Sequence, residues 1–486
     1  MNLKDIIKDY KFDLIKGDLD TEITGIENDS RKIKKGNLFI AEKGFTVDGH
    51  NYIHKAIENG AVAVILEKEV SIVEDITIIK VEDSVDALAK VSGIFYEEPW
   101  KSLDMVGITG TNGKTSITYF IKSILEENNK NVGIIGTIGA VIGNKNVKLD
   151  NTTPNALVIH DLLKKMVDIK TDICIMEVSS HSLELKRVEY MDFQVGIFTN
   201  LTKDHLDYHK TMDKYFNSKL KLFYKTNKFN IINIDDNYGK KIVEIVGERV
   251  PLLTYGIEDE AHIFATNIDF TLSKVGFTLN TPKGNVDILL NVPGEFSVYN
   301  ALAASACAYA YEIPLEIIKK GLESVEGIKG RFEVVPTNTP YTVIIDFAHT
   351  ADGLEKVLTV IDKFTEGRKL VVFGAGGNRD KTKRPEMGET VGRHADLSIV
   401  TSDNPRYEDP EMIIEDILVG IKKVNGNYVK IVDRIEAIKY AIDNAKPKDV
   451  ILLAGKGHET YTIIGDKTFP CDERQIVLDY VCLKDN

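Results

Sequence analysis

The chain has 486 residues, which at roughly 150 residues per domain predicts about three domains. Hydrophobic residues make up 43% and charged residues 28%, the proportions of a globular protein rather than a disordered one. The 61 basic and 74 acidic side chains give a net charge of −13 without any basic block, which argues against nucleic acid or an anionic membrane as the main partner.

Membrane insertion and secretion are also disfavoured. Apolar runs such as residues 61–66 and 451–454 are far shorter than the roughly 20 residues that span a bilayer, and the charged N-terminal stretch has no signal-peptide core. The four cysteines have neither disulfide nor metal-ligand spacing. We therefore expect a soluble, cytoplasmic protein that is not inserted in a membrane.

Apolar runs typical of buried strands alternate with helix-like stretches along the chain, and several runs end in polar or glycine residues. We predict strands at residues 106–109, 172–177, 195–198, 229–234, 370–373, 397–400 and 450–454. This alternation indicates βαβ units, parallel sheets and an α/β fold, in which ligands gather at the carboxyl ends of the strands. Linker-like residues at 97–100 and 327–332 predict domains at 1–98, 99–330 and 331–486.

A glycine-rich segment, Gly107-Ile-Thr-Gly-Thr-Asn-Gly-Lys-Thr-Ser116, lies between a predicted strand and a predicted helix at 117–125. This context favours a phosphate-binding P-loop, in which backbone N–H groups surround phosphate oxygens. Lys114 would offset β/γ-phosphate charge, and Thr115 or Ser116 would hold Mg²⁺. A glycine turn with a solvent-facing lysine is the alternative.

A P-loop indicates a nucleotide but not a reaction. The base-recognition motif NKxD of a GTPase is lacking, since the nearest match, Asn227-Lys-Phe-Asn230, has no Asp. A kinase stays possible from the P-loop alone.

Further motifs follow in a characteristic order. They are Asn151-Thr-Thr-Pro154, Met176-Glu-Val-Ser-Ser-His181, Asn200-Leu-Thr-Lys-Asp-His205, Tyr215-Phe-Asn-Ser-Lys219, Gly294–Asn300, Gly330-Arg331, Asp346–Thr350, Gly374–Lys381, Asp403-Asn-Pro-Arg406 and Ala454–Glu459. With Asp29-Ser-Arg31 near the N-terminus, this set resembles the Mur ligases, the ATP-dependent amide-bond-forming enzymes of peptidoglycan precursor synthesis. The resemblance covers nearly the whole chain.

The resemblance implies three domains: an N-terminal one for a UDP-linked acceptor, a central P-loop ATPase-like one for ATP and a Rossmann-like C-terminal one for an amino acid. The implied reaction adds meso-diaminopimelate to the D-glutamate of UDP-N-acetylmuramoyl-L-alanyl-D-glutamate through an acyl phosphate, with release of ADP and phosphate. Such a C–N ligase serves cell-wall biogenesis, cell shape and cell division. The chain would act as a monomer on small-molecule substrates.

This chemistry brings a carboxylate and the γ-phosphate of ATP together, so positive charge has to be concentrated between two anions. The resemblance gives catalytic roles to Lys114, Glu177, His205 and Lys219. It makes Thr115, Glu177, His205 and Lys219 the metal site, with a carbamate on Lys219 and Mg²⁺ as cofactor. From the residues alone, Lys219 would lie on the solvated face of an amphipathic helix and His205 would be a capping or surface histidine.

The remaining site residues are also implied by the resemblance. ATP would contact Gly110, Thr111, Asn112, Gly113, Lys114, Thr115, Ser116, Asn300, Arg331 and Asp346. The UDP-linked substrate would contact Ser30, Asn151, Thr152, Thr153, Ser179 and Arg187, whereas a glutamine common in the family is replaced by Leu185. Asn300 could instead be a helix N-cap, and Arg331 would reach ATP only when a hinge near residue 330 closes.

The incoming amino acid would contact Arg379, Asp403, Asn404, Pro405, Arg406, Gly455 and Glu459. In the family that the chain resembles, an arginine at the position of Arg406 is typical of diaminopimelate enzymes, which agrees with the ability of a guanidinium to bind the additional distal carboxylate with two parallel hydrogen bonds.

Three alternatives stay open. L-lysine or meso-lanthionine could replace diaminopimelate as the amino acid. A folylpolyglutamate synthase shares the central architecture but begins directly with the P-loop domain. A P-loop kinase or ATPase would explain the glycine-rich loop but not the C-terminal motifs.

Overall fold

A computed structural model describes residues 1–44, 47–247, 249–258, 260–271 and 274–484. Its strands form three α/β units that follow one another along the chain, and each unit has its own sheet. This confirms the predicted three-domain α/β class. The boundaries at 98 and 330 stay a prediction.

The N-terminal unit is built on a five-stranded sheet in the order β1-β5-β4-β3-β2, parallel except for β1. Its elements are α1 (Leu3–Ile7), β1 (Asp13–Lys16), β2 (Gly25–Glu27), β3 (Asn37–Ile40), α2 (Ile53–Glu58), β4 (Ala61–Leu66), β5 (Thr77–Lys80) and α3 (Ser84–Phe95), with 3₁₀ turns at Ser30–Lys32 and Gly49–Tyr52. Apolar residues of β3, β4 and α3 form its core, and Asp83 caps α3 by accepting from two backbone N–H groups.

The central unit has an eleven-stranded sheet in the order β16-β15-β14-β13-β12-β11-β6-β10-β7-β8-β9. After a 3₁₀ turn at Pro99–Ser102, its elements are β6 (Asp104–Thr109), α4 (Lys114–Glu127), β7 (Val132–Gly136), β8 (Gly139–Ile142), β9 (Lys145–Val147), α5 (Ala156–Asp168), β10 (Ile173–Glu177), α6 (Ser180–Glu184), β11 (Phe193–Phe198), α7 (Leu206–His209), α8 (Met212–Tyr224), β12 (Thr226–Asn233), α9 (Asn237–Val246), β13 (Leu252–Gly256), β14 (Ile263–Phe270), β15 (Val275–Thr281), β16 (Gly284–Leu290), α10 (Glu295–Ala310) and α11 (Leu315–Glu323). The strands from β14 to β7 run parallel, and antiparallel strands form both edges.

The two faces of this sheet are covered by separate apolar clusters. One cluster includes residues of α4 and α10, and the other includes residues of α5 and α8. A parallel sheet covered on both faces needs strands that are apolar throughout, which is why β6, β10 and β11 read as continuous hydrophobic runs. Polar residues therefore meet at the carboxyl ends of these three strands.

The C-terminal unit has a six-stranded sheet in the order β17-β18-β22-β19-β20-β21, parallel except for β17, and a separate hairpin. Its elements are β17 (Glu333–Val335), β18 (Thr342–Asp346), α12 (Ala351–Phe364), β19 (Lys369–Phe373), α13 (Lys383–His394), β20 (Leu397–Val400), α14 (Pro410–Lys423), β21 (Tyr428–Lys430), α15 (Arg434–Asn444), β22 (Val450–Ala454), the hairpin β23 (Tyr461–Ile464) and β24 (Lys467–Pro470), and α16 (Glu473–Lys484).

The seven strands predicted from the sequence all correspond to strands of these sheets. Within the described residues, we find no helix long and apolar enough to cross a bilayer.

Candidate active site

A cavity of about 690 Å³ lies between the central and C-terminal units. The carboxyl ends of β6, β10 and β11 face it from one side, and the segments that follow β18, β19 and β22 face it from the other. Most of the residues predicted for ATP and the amino acid line it: Thr111, Asn112, Gly113, Lys114, Thr115, Ser116, Asn300, Arg331, Asp346, Arg379, Asp403, Asn404, Arg406, Gly455 and Glu459. Thr152, Glu177 and His205 line it too.

The P-loop connects β6 to α4 by backbone turns that need glycine. Gly110 and Gly113 have φ values of 151° and 90°, and a Cβ at Gly110 would lie 1.8 Å from Thr199 Oγ1. The N–H groups of Thr111 and Asn112 donate to the carbonyl and side-chain oxygens of Asn200. The N–H groups at the start of α4 are therefore the ones that can donate hydrogen bonds to an anion.

Two lysines meet at the carbonyl of Gly110. Lys114 Nζ donates to the carbonyl oxygens of Gly110 and Thr111 at 2.9 Å each, and Lys219 Nζ donates to that of Gly110 at 2.8 Å. Lys219 is 2% exposed, so the solvated position expected from its helix pattern is wrong. Burial, and next the charge of Lys114, hold the pKa of Lys219 well below its usual value, which favours a neutral amine.

Glu177 ends β10 with its carboxylate among hydroxyl groups. Its Oε2 accepts from Thr115 Oγ1 at 3.1 Å and from Thr137 Oγ1 at 2.8 Å, and Oε1 accepts from the N–H of Thr137. The side chain is 1% exposed, so it is not the surface glutamate of an ordinary salt bridge. Thr115 and Glu177 together offer the oxygen donors that Mg²⁺ prefers.

His205 lies in a tight turn before α7 with a φ of 53°. Its Nε2 is 3.4 Å from Asp204 Oδ2, and its ring meets the ring of His181 edge-on at a centroid distance of 4.9 Å. Burial lowers the pKa of His205 despite the Asp204 carboxylate, which favours the neutral imidazole that a metal ligand requires.

The metal prediction has a partial geometric basis. The Thr115–Glu177 pair fits one hard cation at the P-loop. Among the described residues, however, no three His, Cys, Asp or Glu side chains are grouped to hold a metal ion. A second cation would need an added anionic group, and Lys219 would have to turn its Nζ away from Gly110 to supply it.

The predicted nucleotide contacts lie on both sides of the cavity. Asn300 is in the second turn of α10, whose N-cap is Gly294, so the alternative N-cap role of Asn300 is wrong. A Cβ at Gly113 would lie 2.5 Å from Asn300 Oδ1, which places that amide against the P-loop. Both carboxylate oxygens of Asp346 accept backbone N–H groups, from Phe332 and Ala348 at 2.7 Å.

The C-terminal unit contacts the P-loop through Arg331. Arg331 Nη2, from the C-terminal unit, lies 3.1 Å from Thr115 Oγ1, and its guanidinium stacks over the ring of Phe347 at 4.4 Å. Arg331 therefore lies beside the P-loop, and its contact with ATP phosphates stays a prediction.

Four of the residues predicted for the UDP-linked substrate form one bonded group. Thr153 Oγ1 donates to the carbonyl of Glu177 at 2.7 Å and lies 3.2 Å from Ser179 Oγ, and Arg187 Nη1 donates to the carbonyl of Thr153 at 2.6 Å. Thr152 Oγ1 is 3.1 Å from Thr137 Oγ1 and joins the group to the glutamate.

The other two UDP-substrate candidates differ in position, since Asn151 is the chain neighbour of Thr152 whereas Ser30 lies in the N-terminal unit. Ser30 is buried in the N-terminal 3₁₀ turn, and Asn151 is exposed.

Two arginines and two acids face the cavity from the C-terminal unit. Arg406 Nη1 donates to the carbonyl of Gly377 at 2.9 Å, and Arg379 Nη1 donates to that of Asn378 at 3.2 Å. Burial, and then the charge of Arg379, lower the pKa of Arg406, so an anion between these guanidiniums would be stabilised.

The acids are held by Asn404 and by neighbouring charges. Asn404 Nδ2 donates to Glu459 Oε2 at 2.8 Å. Burial, and next Asp403, raise the pKa of Glu459. Burial would raise the pKa of Asp403 as well, but Lys456 and Arg434 hold it below its usual value. At Gly455 a Cβ would lie 2.8 Å from Asp403 Oδ2, and at Gly377 one would lie 1.9 Å from the Pro405 carbonyl.

Sequence reasoning missed three residues that bridge the units or shape the loop. Asn200 holds the P-loop backbone, Lys383 places its Nζ 3.8 Å from Asp204 Oδ1, and Asp352 accepts from Asn112 Nδ2 at 2.8 Å. Asn200 belongs to a motif that was recognised, and Lys383 follows another one closely. Asp352 had no signal, because 240 residues separate it from Asn112.

Asp352 provides a test of closure. Asp352→Ala removes the carboxylate that accepts hydrogen bonds from Asn112 and Thr202. A hydrogen bond to a charged group contributes about 1.5–3 kcal/mol, so its loss should shift the equilibrium toward open forms by about tenfold or more. We expect small-angle scattering to report a larger radius of gyration for this variant. Asp362→Ala, whose partners Lys369 and His394 are in the same unit, is the control. Identical scattering from Asp352→Ala and Asp362→Ala would contradict a role of Asp352 in holding the two units together.

Comparisons with known proteins agree with this architecture. Family models match three successive stretches, namely "Mur ligase family, catalytic domain" at residues 22–96, "Mur ligase middle domain" at 108–308 and "Mur ligase, glutamate ligase domain" at 330–457.

Individual relatives are similar over nearly the full length. A UDP-N-acetylmuramoyl-L-alanyl-D-glutamate–2,6-diaminopimelate ligase of Caldanaerobacter subterraneus subsp. tengcongensis is 49% identical over 98% of both chains. A solved structure of a ligase with the same name is 28% identical, with a TM-score of 0.70 over 100% of this chain and 99% of that one. The fold is also that of a MurF ligase from Thermotoga maritima in complex with ADP, at 19% identity and a TM-score of 0.63 over 95% of this chain and 96% of that one. The chain belongs to the Mur ligase family.

Proposed function

We propose that this chain is an ATP-dependent ligase that joins meso-diaminopimelate to the D-glutamate carboxylate of UDP-N-acetylmuramoyl-L-alanyl-D-glutamate, in peptidoglycan precursor synthesis. One observation carries the proposal beyond the names of the relatives. A single cavity holds the P-loop lysine on one side and the Arg379–Arg406 pair with Asp403 and Glu459 on the other. An amino acid with two carboxylates and two ammonium groups is complementary to these two arginines and two acids.

The chemistry follows from the geometry. ATP phosphorylates the acceptor carboxylate to an acyl phosphate, the amine of the amino acid attacks it, and phosphate leaves. Lys114 and Arg331 flank the P-loop and offset the charge of the transferred phosphoryl group. Thr115 and Glu177 would hold Mg²⁺, which supplies further positive charge at the phosphates.

Lys219 is proposed to carry a carbamate. Carbamate formation requires a neutral amine, and the buried position of Lys219 beside Lys114 favours that form. The carbamate would be anionic and would lie with His205 as the second group of metal ligands.

The domain roles follow the same logic. We propose that residues 1–98 bind the UDP part of the acceptor with Ser30, that 99–330 bind ATP, and that 331–486 bind the amino acid. Thr152, Thr153, Ser179 and Arg187 would place the acceptor peptide beside Glu177. ATP and UDP-linked precursors are cytoplasmic metabolites, so we place the protein in the cytoplasm. That it is a monomer stays a prediction.

Release of ADP tests the reaction class. We expect turnover only when ATP, the UDP-linked dipeptide and meso-diaminopimelate are all present. ATP hydrolysis that needs neither co-substrate would indicate a P-loop ATPase, transfer of phosphate to the acceptor as a stable product would indicate a kinase, and glutamate-dependent turnover with a folate would indicate a folylpolyglutamate synthase.

Arg406 provides a test of the amino-acid site. In Arg406→Ala the distal carboxylate loses its partner in a partly desolvated pocket, which costs roughly 2–4 kcal/mol, or about 30- to 1,000-fold in kcat/KM for meso-diaminopimelate. The KM for ATP should stay at the wild-type value. Arg393→Ala, at a 60% exposed arginine of α13, is the matched control. An Arg406→Ala enzyme with wild-type kcat/KM would rule out this contact.

A further inference from the structure

An ion pair between the buried Arg384 and the partly exposed Glu408 lies next to the loops of the amino-acid site. Arg384, in the first turn of α13, is 1% exposed, and its Nη1 and Nη2 donate to the two carboxylate oxygens of Glu408 at 3.1 and 3.0 Å. Nη1 also donates to Asp416 Oδ2 at 2.9 Å, and Nη2 donates to the carbonyl of Gly376 at 3.3 Å. The bonds from Arg384 are the main cause that holds the pKa of Glu408 down to about 2.

This pair joins two loops, residues 374–381 and 403–408, which carry Arg379 and Arg406. Arg384 binds the first loop at Gly376, and Glu408 accepts from the backbone N–H of Asn378 in that same loop. Glu408 itself belongs to the second loop. The Arg384–Glu408 pair therefore connects the two loops.

The loops are also in direct backbone contact. The N–H of Gly377 donates to the carbonyl of Asn404 at 2.9 Å, and the N–H of Tyr407 donates to Asn378 Oδ1 at 3.1 Å. Asn378 and Arg406 both have a φ of 52°, a left-handed conformation that asparagine tolerates but that costs free energy for arginine. Such a backbone persists only when its surroundings fix it, and the ion pair supplies part of that support.

The pair is expected to contribute little net stability, because the desolvation of the buried Arg384 guanidinium offsets much of its attraction to Glu408. Its fork geometry is, however, a good way to fix two loops at one separation. We propose that Arg384 and Glu408 are positioning residues that set the distance between the Arg379 and Arg406 guanidiniums and so the affinity for the amino acid. This inference rests on the proposed function.

The contacts of the pair predict which substrate it affects. The hydrogen bonds and ion pairs that the structure shows for Arg384 and Glu408 all involve residues 376–416 of the C-terminal unit. The P-loop, Glu177 and the group around Thr153 lie in the central unit. Loosening the pair should therefore weaken binding of the amino acid and leave ATP and the UDP-linked acceptor unaffected.

The test uses Arg384→Lys, which keeps the charge but loses the fork, and Glu408→Gln, which keeps the shape but loses the charge. Steady-state kinetics is run with each of the three substrates varied in turn, with Arg393→Ala as the control from the same helix. We expect KM for meso-diaminopimelate to rise about 10- to 100-fold in both variants, the range in which lost supporting contacts alter a site. KM for ATP and the acceptor should not change.

The double variant adds a readout that general destabilisation would not give. If the two residues act as one unit, Arg384→Lys combined with Glu408→Gln should raise KM no further than the more severe single variant does. Additive effects, a parallel rise of all three KM values, or an unchanged KM for meso-diaminopimelate in folded variants would each overturn the positioning role. Failure of both single variants to fold, judged by circular dichroism, would also overturn it, because the pair would then serve the fold itself.

The same experiment separates this inference from the proposed function. A wild-type enzyme that does not use meso-diaminopimelate would contradict the proposed function. An active wild type whose variants keep its KM for meso-diaminopimelate would contradict only the role of the pair.

Discussion

Replacing Lys114 with alanine should abolish ATP turnover and leave the fold intact. The Lys114 ammonium lies at the start of α4 and donates to the carbonyls of Gly110 and Thr111, and Lys219 also donates to the first of these. When ATP binds, this charge is expected to turn to the β- and γ-phosphates, where removing one stabilising group costs about 10²–10³ in kcat. Because Lys114 carries a full charge, we expect a loss at or beyond the upper end of that range.

Release of ADP in the presence of all three substrates measures this effect, and circular dichroism checks the fold. Lys122→Ala is the matched control, since Lys122 lies on the same helix and pairs with Glu126 on its outer face. Near-normal turnover by a folded Lys114→Ala enzyme would refute the P-loop interpretation.

The second large effect is expected at Lys219. Lys219→Ala removes the amine that would carry the carbamate, and with it one ligand of the second metal group. We expect a loss of about 10²-fold or more, in line with the loss of a group that positions charge at the transferred phosphoryl. Short carboxylates such as formate or acetate should restore part of the activity by occupying the vacated position.

Two controls make the Lys219 test specific. Lys221→Ala removes an exposed lysine of the same helix that pairs with Glu184, and it should remain active with no response to formate. Lys219→Arg keeps a long basic side chain but has no amine that reacts with carbon dioxide, so it should be inactive. Full activity of Lys219→Ala would show that the carbamate has no role.

Local sequence patterns were sufficient to predict seven strands of the two larger sheets and the glycine-rich loop after β6. The runs at 106–109 and 172–177 are apolar because both faces of the central sheet are covered, and the glycines at 110 and 113 have the positive φ that the loop requires. Apolar runs and glycine turns depend on residues that are neighbours in the chain, so they can be recognised without knowledge of the tertiary fold.

Long-range packing explains what the sequence patterns missed or misassigned. Lys219 lies on a helix whose pattern indicates a solvated charge, yet the P-loop covers it and leaves it 2% exposed. Arg384 resembles any charged residue at a helix start, and only the fold brings Glu408 and Asp416 to it. For Asn300, the short apolar run after it suggested a helix start, but α10 begins five residues earlier.

The choice of amino acid is the most direct test of the account. In the wild type, kcat/KM is to be measured for meso-diaminopimelate, meso-lanthionine and L-lysine at saturating ATP and UDP-linked dipeptide. Lysine has no distal carboxylate for Arg406, so we predict that its kcat/KM is lower than that of meso-diaminopimelate by about 30- to 1,000-fold. A kcat/KM for lysine equal to or above that for meso-diaminopimelate would contradict the account.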